Sequence, residues 1–315
     1  MKPFLLGAAG ALVATFTTIG AAAAQSADRG TVLFDQTVET ETVSWEPQYS
    51  VYLPAGYDQG ERNYPIVYLL PGGAGQTHRD WFLAGGAAET LDRMIADGEI
   101  PPIVVISPDP RRTNRPEFNT YYLDDSDGSE RWETMFFEDF VPQVEERYNV
   151  LAEQQFRAAV GISMGGYGGL IYAFRHPDFL QAVAAIAPAI RTDEQILAMD
   201  QPGWDRRYGQ TWGVGLEGEA RLSDRYYADS VFRQMETAQQ GGTMPETKLM
   251  IDTGANDIFF DGSVVLHKML LTEGETERTR TSDHRFMIRE GGHDWAYFSS
   301  GLPEALRFVT DAMME

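Results

Sequence analysis

The 315-residue chain contains no cysteine. Disulfide bonds are therefore excluded, and so are thiolate metal ligands and a cysteine nucleophile. Nucleophilic chemistry must come from an oxygen or nitrogen group, and the core alone must hold the fold together. Such a core is available, because 43% of the residues are hydrophobic and 12% are aromatic, which is typical of an ordered globular protein.

Basic residues are scarce as well. Lysine and arginine together number 25 against 47 aspartate and glutamate residues, which gives a formal net charge of −22 at pH 7. A surface of this sign repels the phosphates of nucleic acids and anionic membrane lipids. We therefore expect no nucleic-acid partner, and we interpret the charge as a solubility feature that says little about the substrate.

Long apolar runs are also missing, apart from one at the start of the chain. Residues 4–19 are mostly apolar, Lys2 precedes them, and Ala22, Ala23 and Ala24 follow. This order is typical of a cleaved signal peptide, with a retained membrane anchor as the alternative. The sequence predicts a signal peptide over residues 1–24 and one domain over 25–315. It also predicts a periplasmic or secreted location without stable membrane association.

The rest of the chain alternates apolar strand-like runs with amphipathic helix-like segments, which predicts an α/β fold with a mainly parallel sheet covered by helices. Continuous apolar character in several of the runs indicates strands that are covered on both faces. The predicted strands are residues 31–34, 44–53, 66–70, 103–107, 156–161, 182–187, 248–252 and 284–289. The predicted helices are residues 87–96, 134–147, 164–174, 264–271 and 303–314.

Two long segments interrupt this alternation, at residues 109–131 and 191–242. Loops of such length in a compact domain are usually functional or have local structure of their own. Ligands of open α/β sheets bind beyond the carboxyl ends of the strands. We therefore expect both segments to border the functional site, and the second to form a cap-like insertion.

Residues 161–165 read Gly-Ile-Ser-Met-Gly, directly after a predicted strand and directly before a predicted helix. This is the strand–turn–helix context of a nucleophile elbow, in which a sharp turn exposes the hydroxyl of Ser163. A free serine hydroxyl is a poor nucleophile, so the motif requires a base and an acid elsewhere in the chain.

The base is assigned to His293, which lies in a Gly-Gly-His loop after the last predicted strand. In the order serine, acid, histidine, the acid must lie between the other two residues. Asp257 follows a predicted strand and fits this place, with Asp252 as the rival at the strand end. An acid there would hold the imidazole in the correct tautomer.

The oxyanion of an acyl-transfer reaction needs backbone N–H donors. One is predicted from Met164, the residue after the nucleophile. The other is predicted from the glycine-rich loop at residues 71–75, where either Gly73 or Ala74 can supply it. A phosphate-binding loop is excluded there, because neither G-x-G-x-x-G nor the lysine of a P-loop is present.

Taken together, these motifs resemble the esterase D-like α/β-hydrolases. That family includes S-formylglutathione hydrolases, feruloyl and acetylxylan esterases, enterochelin esterases and mycolyltransferases. The resemblance covers about residues 52–308 and rests on residues 64–70, the glycine-rich loop, residues 161–169 and residues 292–295. It implies an α/β-hydrolase fold, a mainly parallel central sheet flanked by helices.

Residue by residue, the resemblance places the catalytic triad of the family on Ser163, Asp257 and His293. Pro71 departs from the pattern, because many relatives have histidine before the glycine. This departure leaves the choice of the second oxyanion donor open. The family is broad in its substrates, so the resemblance specifies the chemistry better than the ester.

The resemblance and the leader segment together predict an exported serine esterase, acting on acyl or feruloyl esters of polysaccharides. Two alternatives remain open, an acyltransferase of the mycolyltransferase type and a non-catalytic carbohydrate-binding protein on the same fold. The aromatic residues Tyr122, Trp132 and Trp204, with Tyr121 and Trp212, could form a substrate platform or pack in the core.

One basic cluster stands out in this acidic chain, formed by Arg111, Arg112 and Arg115. It could bind a substrate carboxylate, but pairing with Asp109 and neighbouring acids is the preferred interpretation. The acidic stretch at residues 124–128 does not fit the ligand spacing of a calcium-binding loop. We therefore expect no metal and no cofactor.

Overall fold

A large, mostly parallel sheet forms the centre of the protein in a computed structural model. The model describes residues 29–57, 62–112, 116–273, 278–280 and 284–315. The strands are β1 (Thr31–Thr37), β2 (Gln48–Leu53), β3 (Ile66–Leu70), β4 (Val104–Pro108), β5 (Arg157–Ile162), β6 (Ala182–Ile186), β7 (Lys248–Gly254), β8 (Leu271–Glu273), β9 (Arg278–Arg280) and β10 (His284–Arg289). Eight of them form the sheet in the order β1-β2-β4-β3-β5-β6-β7-β10, and β8 pairs with β9 separately. Strand β2 is antiparallel to both its neighbours, and the other pairings in the large sheet are parallel.

Helices occupy most of the connections between strands. They are α1 (Asp80–Leu83), α2 (Ala87–Ala96), α3 (Trp132–Met135), α4 (Val141–Arg147), α5 (Met164–Arg175), α6 (Asp193–Leu197), α7 (Gln201–Trp204), α8 (Gln210–Trp212), α9 (Asp224–Asp229), α10 (Val231–Gly241), α11 (Phe260–Met269) and α12 (Trp295–Met314). Turns of π-helix lie at Phe136–Phe140 and Asp205–Gly209, and turns of 3-10 helix lie at Gln154–Phe156 and Gly218–Arg221.

The strands at the centre are covered on both faces, as their continuous apolar character predicts. In β3, the side chains of Ile66, Tyr68 and Leu70 belong to the cluster formed with α4 and α5. The alternate side chains, Val67 and Leu69, belong to the cluster formed with α2 and α12 on the other face. Because successive side chains of a strand point to opposite faces, both faces of such a strand must be apolar. The predicted sheet flanked by helices is confirmed.

The last helix begins earlier than the sequence predicts. The predicted helix begins at residue 303, and proline is common in the first turn of a helix. In the structure α12 begins at Trp295 and Pro303 lies inside it. A side-chain oxygen of Asp294 accepts a hydrogen bond from the backbone N–H of Tyr297 at 2.9 Å and caps the helix. This N-cap starts α12 directly after the loop that carries His293.

The second of the two long segments has helices of its own. The second contains α6 to α10 between β6 and β7, and α10 packs against α5. The predicted signal peptide at residues 1–24 lies outside the described residues, as does Arg115. Within the described ranges, the structure contains no helix with the length and apolarity needed to span a membrane.

Candidate active site

Ser163 lies on a tight turn between β5 and α5. Its backbone has φ +53°, a left-handed conformation that non-glycine residues rarely adopt. A side chain on Gly161 would meet the carbonyl oxygen of Gly165 at 2.2 Å, and one on Gly165 would meet that of Leu70 at 2.1 Å. The two glycines of the motif are therefore needed for the turn, which is the strained geometry of a nucleophile elbow.

Three side chains form a continuous row of hydrogen bonds at this turn. The Nε2 atom of His293 lies 2.8 Å from the Oγ atom of Ser163. The Nδ1 atom of the same ring lies 2.8 Å from an Oδ atom of Asp257. The other Oδ atom of Asp257 accepts from the backbone N–H of Phe259 at 2.8 Å. Both oxygens of the acid are thus engaged, and the imidazole is oriented toward the serine.

The parallel sheet brings these residues together although they are far apart in the sequence. Strands β5, β7 and β10 run in the same direction, and each of the three side chains follows the carboxyl end of one of them. The loops after β7 and β10 are joined by a hydrogen bond from Asn256 N–H to the carbonyl of Gly291 at 3.0 Å. The rings of Phe259 and Phe298 each lie 5.0 Å from the imidazole of His293.

Asp252, the rival acid, has a different role in the structure. Its carboxylate is fully buried and lies 2.7 Å from a guanidinium nitrogen of Arg289. The hydroxyl of Tyr297 donates to the same carboxylate at 2.6 Å. Asp252 therefore links β7, β10 and α12, and its oxygens are engaged away from His293.

Replacing Arg289 with methionine is expected to lower the free energy of unfolding by about 3 kcal/mol, because the carboxylate of Asp252 would stay buried without its counter-charge. The control is Arg285→Met on the same strand, whose pair with Glu304 is largely exposed. That loss should stay below about 1 kcal/mol. Both guanidiniums also stack on an aromatic ring, so the variants are matched in this respect. Urea denaturation measures both losses, and equal values would contradict the bracing role.

Of the N–H groups predicted to bind the oxyanion, those of Met164 and Gly73 have no acceptor within the described part of the chain. The neighbouring N–H of Ala74 donates to the side-chain oxygen of Asn119 at 3.0 Å. The N–H of Gly72 donates to the side-chain oxygen of Gln76 at 2.7 Å. Of the two residues that the sequence leaves open, Gly73 is therefore the one whose donor is available for a substrate oxygen.

These groups open into a cavity of about 360 Å³. Both long segments contribute to its wall, as the sequence predicts, the first through Asn119 and Tyr121 and the second through Arg191 and Arg207. Burial raises the pKa of Tyr121, and Tyr208 beside it adds to the effect, so the phenol stays neutral. The cavity is lined by Gly73, Ala74, Gln76, Asn119, Tyr121, Ser163, Met164, Ala189, Arg191, Arg207, Ile258, Phe259, His293, Asp294, Trp295 and Phe298.

Three residues of the candidate substrate platform lie in the core, which is the other interpretation that the sequence left open. Tyr122, Trp132 and Trp204 are 0%, 1% and 0% exposed, and none of them lines the cavity. The hydroxyl of Tyr122 donates to the carbonyl of Pro71 at 2.7 Å. Trp132 packs edge-to-face against Tyr122, and Trp204 stacks on Tyr208. These rings are fully buried and support the glycine-rich loop and the insertion from within.

The apolar wall of the cavity includes two aromatic residues, Phe259 and Phe298, that are not among the candidate platform residues. Phe259 and Phe298 follow Asp257 and His293 closely in the chain, and their place next to these residues was the available signal. The two described members of the basic cluster pair with acids, which is the interpretation preferred from the sequence. Arg111 lies 2.9 Å from an oxygen of Asp109, and Arg112 pairs with Asp125.

Comparison with known proteins agrees with the fold and the motifs. The family described as "Putative esterase" matches residues 40–309, which is most of the chain. The chain belongs to this esterase family. The family resemblance inferred from the motifs is thereby confirmed.

Two of the curated relatives that the chain matches are longer proteins with an esterase name. An esterase of Mycobacterium tuberculosis is 27% identical over 227 residues, which cover 68% of this chain and 47% of that protein. A xylanase/feruloyl esterase of Xylanibacter ruminicola is 29% identical over 133 residues, covering 41% of this chain and 18% of that protein. The chain thus spans about half the length of the first relative and less of the second.

Solved structures show the same fold over nearly the whole chain. A ferulic acid esterase superimposes with a TM-score of 0.72 at 24% identity, covering 90% of this chain and 99% of the other. An S-formylglutathione hydrolase from Agrobacterium tumefaciens superimposes with a TM-score of 0.65 at 18% identity, covering 92% and 98%. At these identities the likeness confirms the α/β-hydrolase fold of the esterase family and nothing finer.

Proposed function

We propose that this protein is an exported serine carboxylic-ester hydrolase that works through an acyl-enzyme. The observation that carries the proposal is the row of hydrogen bonds from Ser163 through His293 to Asp257, each 2.8 Å long. This row lies beside two available N–H donors and opens into a cavity. Nucleophile, base, orienting acid and oxyanion donors are the parts that acyl transfer by serine requires.

In the first half-reaction, Nε2 of His293 takes the proton of Ser163 as Oγ attacks the ester carbonyl. The N–H groups of Met164 and Gly73 stabilise the negative charge that develops on the carbonyl oxygen. The imidazolium then gives its proton to the departing alcohol, and the C–O bond breaks to leave the acyl-enzyme. Asp257 holds the imidazole in place and stabilises its charged form.

In the second half-reaction, water replaces the alcohol. His293 removes a proton from the water as it attacks the acyl carbon, and the same N–H donors bind the new oxyanion. The proton returns to Oγ of Ser163 when the acid departs, so the enzyme ends as it began. The site needs no metal or cofactor for these steps.

For the substrate, we propose acyl or feruloyl esters attached to polysaccharides. Support comes from the names of the relatives, which include a feruloyl esterase, and from the aromatic wall of the cavity formed by Tyr121, Phe259, Trp295 and Phe298. Export is proposed from the leader-like residues 1–24, and polysaccharide esters are substrates found outside the cytoplasm.

Labelling with a fluorophosphonate tests the proposal directly. The reagent should modify Ser163 in the folded protein, as identified by mass spectrometry of the peptide that contains it, and should not modify heat-denatured protein. Absence of labelling would point instead to a non-catalytic protein on this fold. Comparing methyl ferulate with p-nitrophenyl butyrate then tests the substrate, and a failure to hydrolyse methyl ferulate would remove the feruloyl part.

A further inference from the structure

Two arginines line the cavity that Ser163 and His293 share. Arg191 comes at the start of the insertion after β6, and Arg207 lies in the π-helical turn Asp205–Gly209. Among the described lining residues, these two arginines carry a permanent positive charge, and His293 becomes positive when it takes a proton during the reaction.

Neither guanidinium is neutralised by a carboxylate of the described residues. Within the described ranges, no carboxylate lies within 4.0 Å of Arg191 or Arg207. Other arginines of the chain pair with acids: Arg175 and Arg289 with a buried aspartate each, and Arg157 with the partly buried Glu145. Acids outnumber basic residues by 47 to 25, so the two guanidiniums are available to a ligand in a chain where carboxylates are abundant.

Arg191 is also fixed in position. Its Nε atom donates to the hydroxyl of Tyr208 at 3.1 Å, and its guanidinium lies 4.7 Å from the centre of the Phe259 ring. The backbone N–H of Phe259 in turn donates a hydrogen bond to the carboxylate of Asp257. These contacts hold the side chain while leaving its two terminal nitrogens for a ligand. A planar guanidinium in this state suits a carboxylate, which it binds through two parallel hydrogen bonds.

Among the described residues, Asp294 supplies the one carboxylate that lines the same cavity. One of its oxygens accepts from the N–H of Tyr297 and caps α12. This carboxylate pairs with neither Arg191 nor Arg207, so it does not occupy the position at which a ligand would bind them.

We propose that the cavity selects esters that carry a second, negatively charged group, such as a free carboxylate, and that Arg191 is the main specificity-determining residue, assisted by Arg207. This inference rests on the proposed esterase function and adds the charge class of its substrate. The anionic group can belong to the acyl part or to the alcohol part of the ester, and both are tested.

Matched pairs of esters make the test. Mono-p-nitrophenyl adipate is compared with p-nitrophenyl hexanoate for the acyl side, and 4-acetoxybenzoate with phenyl acetate for the alcohol side. The readout is the ratio of kcat/KM for the anionic ester to that for the neutral ester. In one of the pairs, Arg191→Gln should lower the ratio about tenfold, mainly through KM, because a charge-assisted hydrogen bond is lost. Arg207→Gln, whose side chain is exposed, should lower the ratio about threefold.

Arg206→Gln is the matched control, because Arg206 is the exposed neighbour of Arg207 in the same turn and does not line the cavity. It should leave the ratio unchanged in both pairs. Arg191→Lys keeps the charge without the fork and should give an intermediate ratio. It also keeps the test decisive if Arg191→Gln fails to fold.

Salt provides an independent measurement on the unaltered protein. Raising NaCl from about 0.05 to about 0.5 M should lower the ratio, since exposed charges are screened. Equal ratios for Arg191→Gln, Arg207→Gln and Arg206→Gln in both pairs would overturn the inference while leaving the esterase proposal intact. Failure of the esterase proposal gives a different result. The Ser163→Ala variant would then hydrolyse both esters of a pair as fast as the unaltered protein does.

Discussion

Replacing Ser163 with alanine should lower kcat for p-nitrophenyl butyrate by about 10⁶-fold, the size of loss seen when the nucleophile of a serine triad is removed. The substitution deletes one oxygen and its 2.8 Å hydrogen bond to His293. The N–H groups of Met164 and Gly73 remain, so a small activity above the rate in water should persist. Initial rates at saturating ester measure the loss.

The control for this prediction is Ser129→Ala in an exposed turn, which should retain the kcat of the unaltered protein. His293→Ala should show a loss similar to that of Ser163→Ala, because the two side chains act as a unit. Circular dichroism checks that each variant is folded. Activity within tenfold of the unaltered protein in folded Ser163→Ala would refute the assignment of the nucleophile.

The second large effect is expected at Asp257. Asp257→Asn should lower kcat by about 10⁴-fold, because an amide no longer holds the imidazole in the tautomer that accepts the serine proton. The side chain is fully buried and 2.8 Å from Nδ1 of His293. The loss should appear in kcat with little change in the affinity for the ester, since Asp257 does not line the cavity.

Asp252→Asn separates the two candidate acids. Asp252 pairs with Arg289 and Tyr297, so its replacement should lower stability while the folded fraction keeps kcat within about tenfold. The folded fraction is measured by circular dichroism at the assay temperature. If folded Asp252→Asn lost as much kcat as Asp257→Asn, the assignment of the acid would be reversed.

Much of the architecture could be predicted because it depends on local patterns. The apolar run at residues 66–70 gives a strand with both faces covered, and the structure has β3 there with the same bounds. Glycine at residues 161 and 165 around Ser163 predicts the turn, since no other residue fits those positions. The start of α12 could not be predicted as well, because the cap at Asp294 competes with the preference of Pro303 for a first turn.

Which aromatic rings are buried could not be predicted from the sequence. Tyr121 and Tyr122 are adjacent in the chain, yet the first lines the cavity and the second packs against Trp132 inside the protein. A pattern in the sequence shows that a segment is rich in aromatic residues, but it does not show which ring faces a cavity.

The sequence by itself determined the chemistry of the candidate site, namely a serine, an acid and a histidine in an order that parallel strands bring to one edge of the sheet. Only the tertiary structure decided that the N–H of Ala74 is engaged, since Asn119 reaches Ala74 across 45 positions of the chain. It also decided that Arg191 and Arg207 reach the cavity without a carboxylate partner among the described residues. Such contacts depend on how distant loops approach each other, whereas spacing and periodicity report on neighbours along the chain.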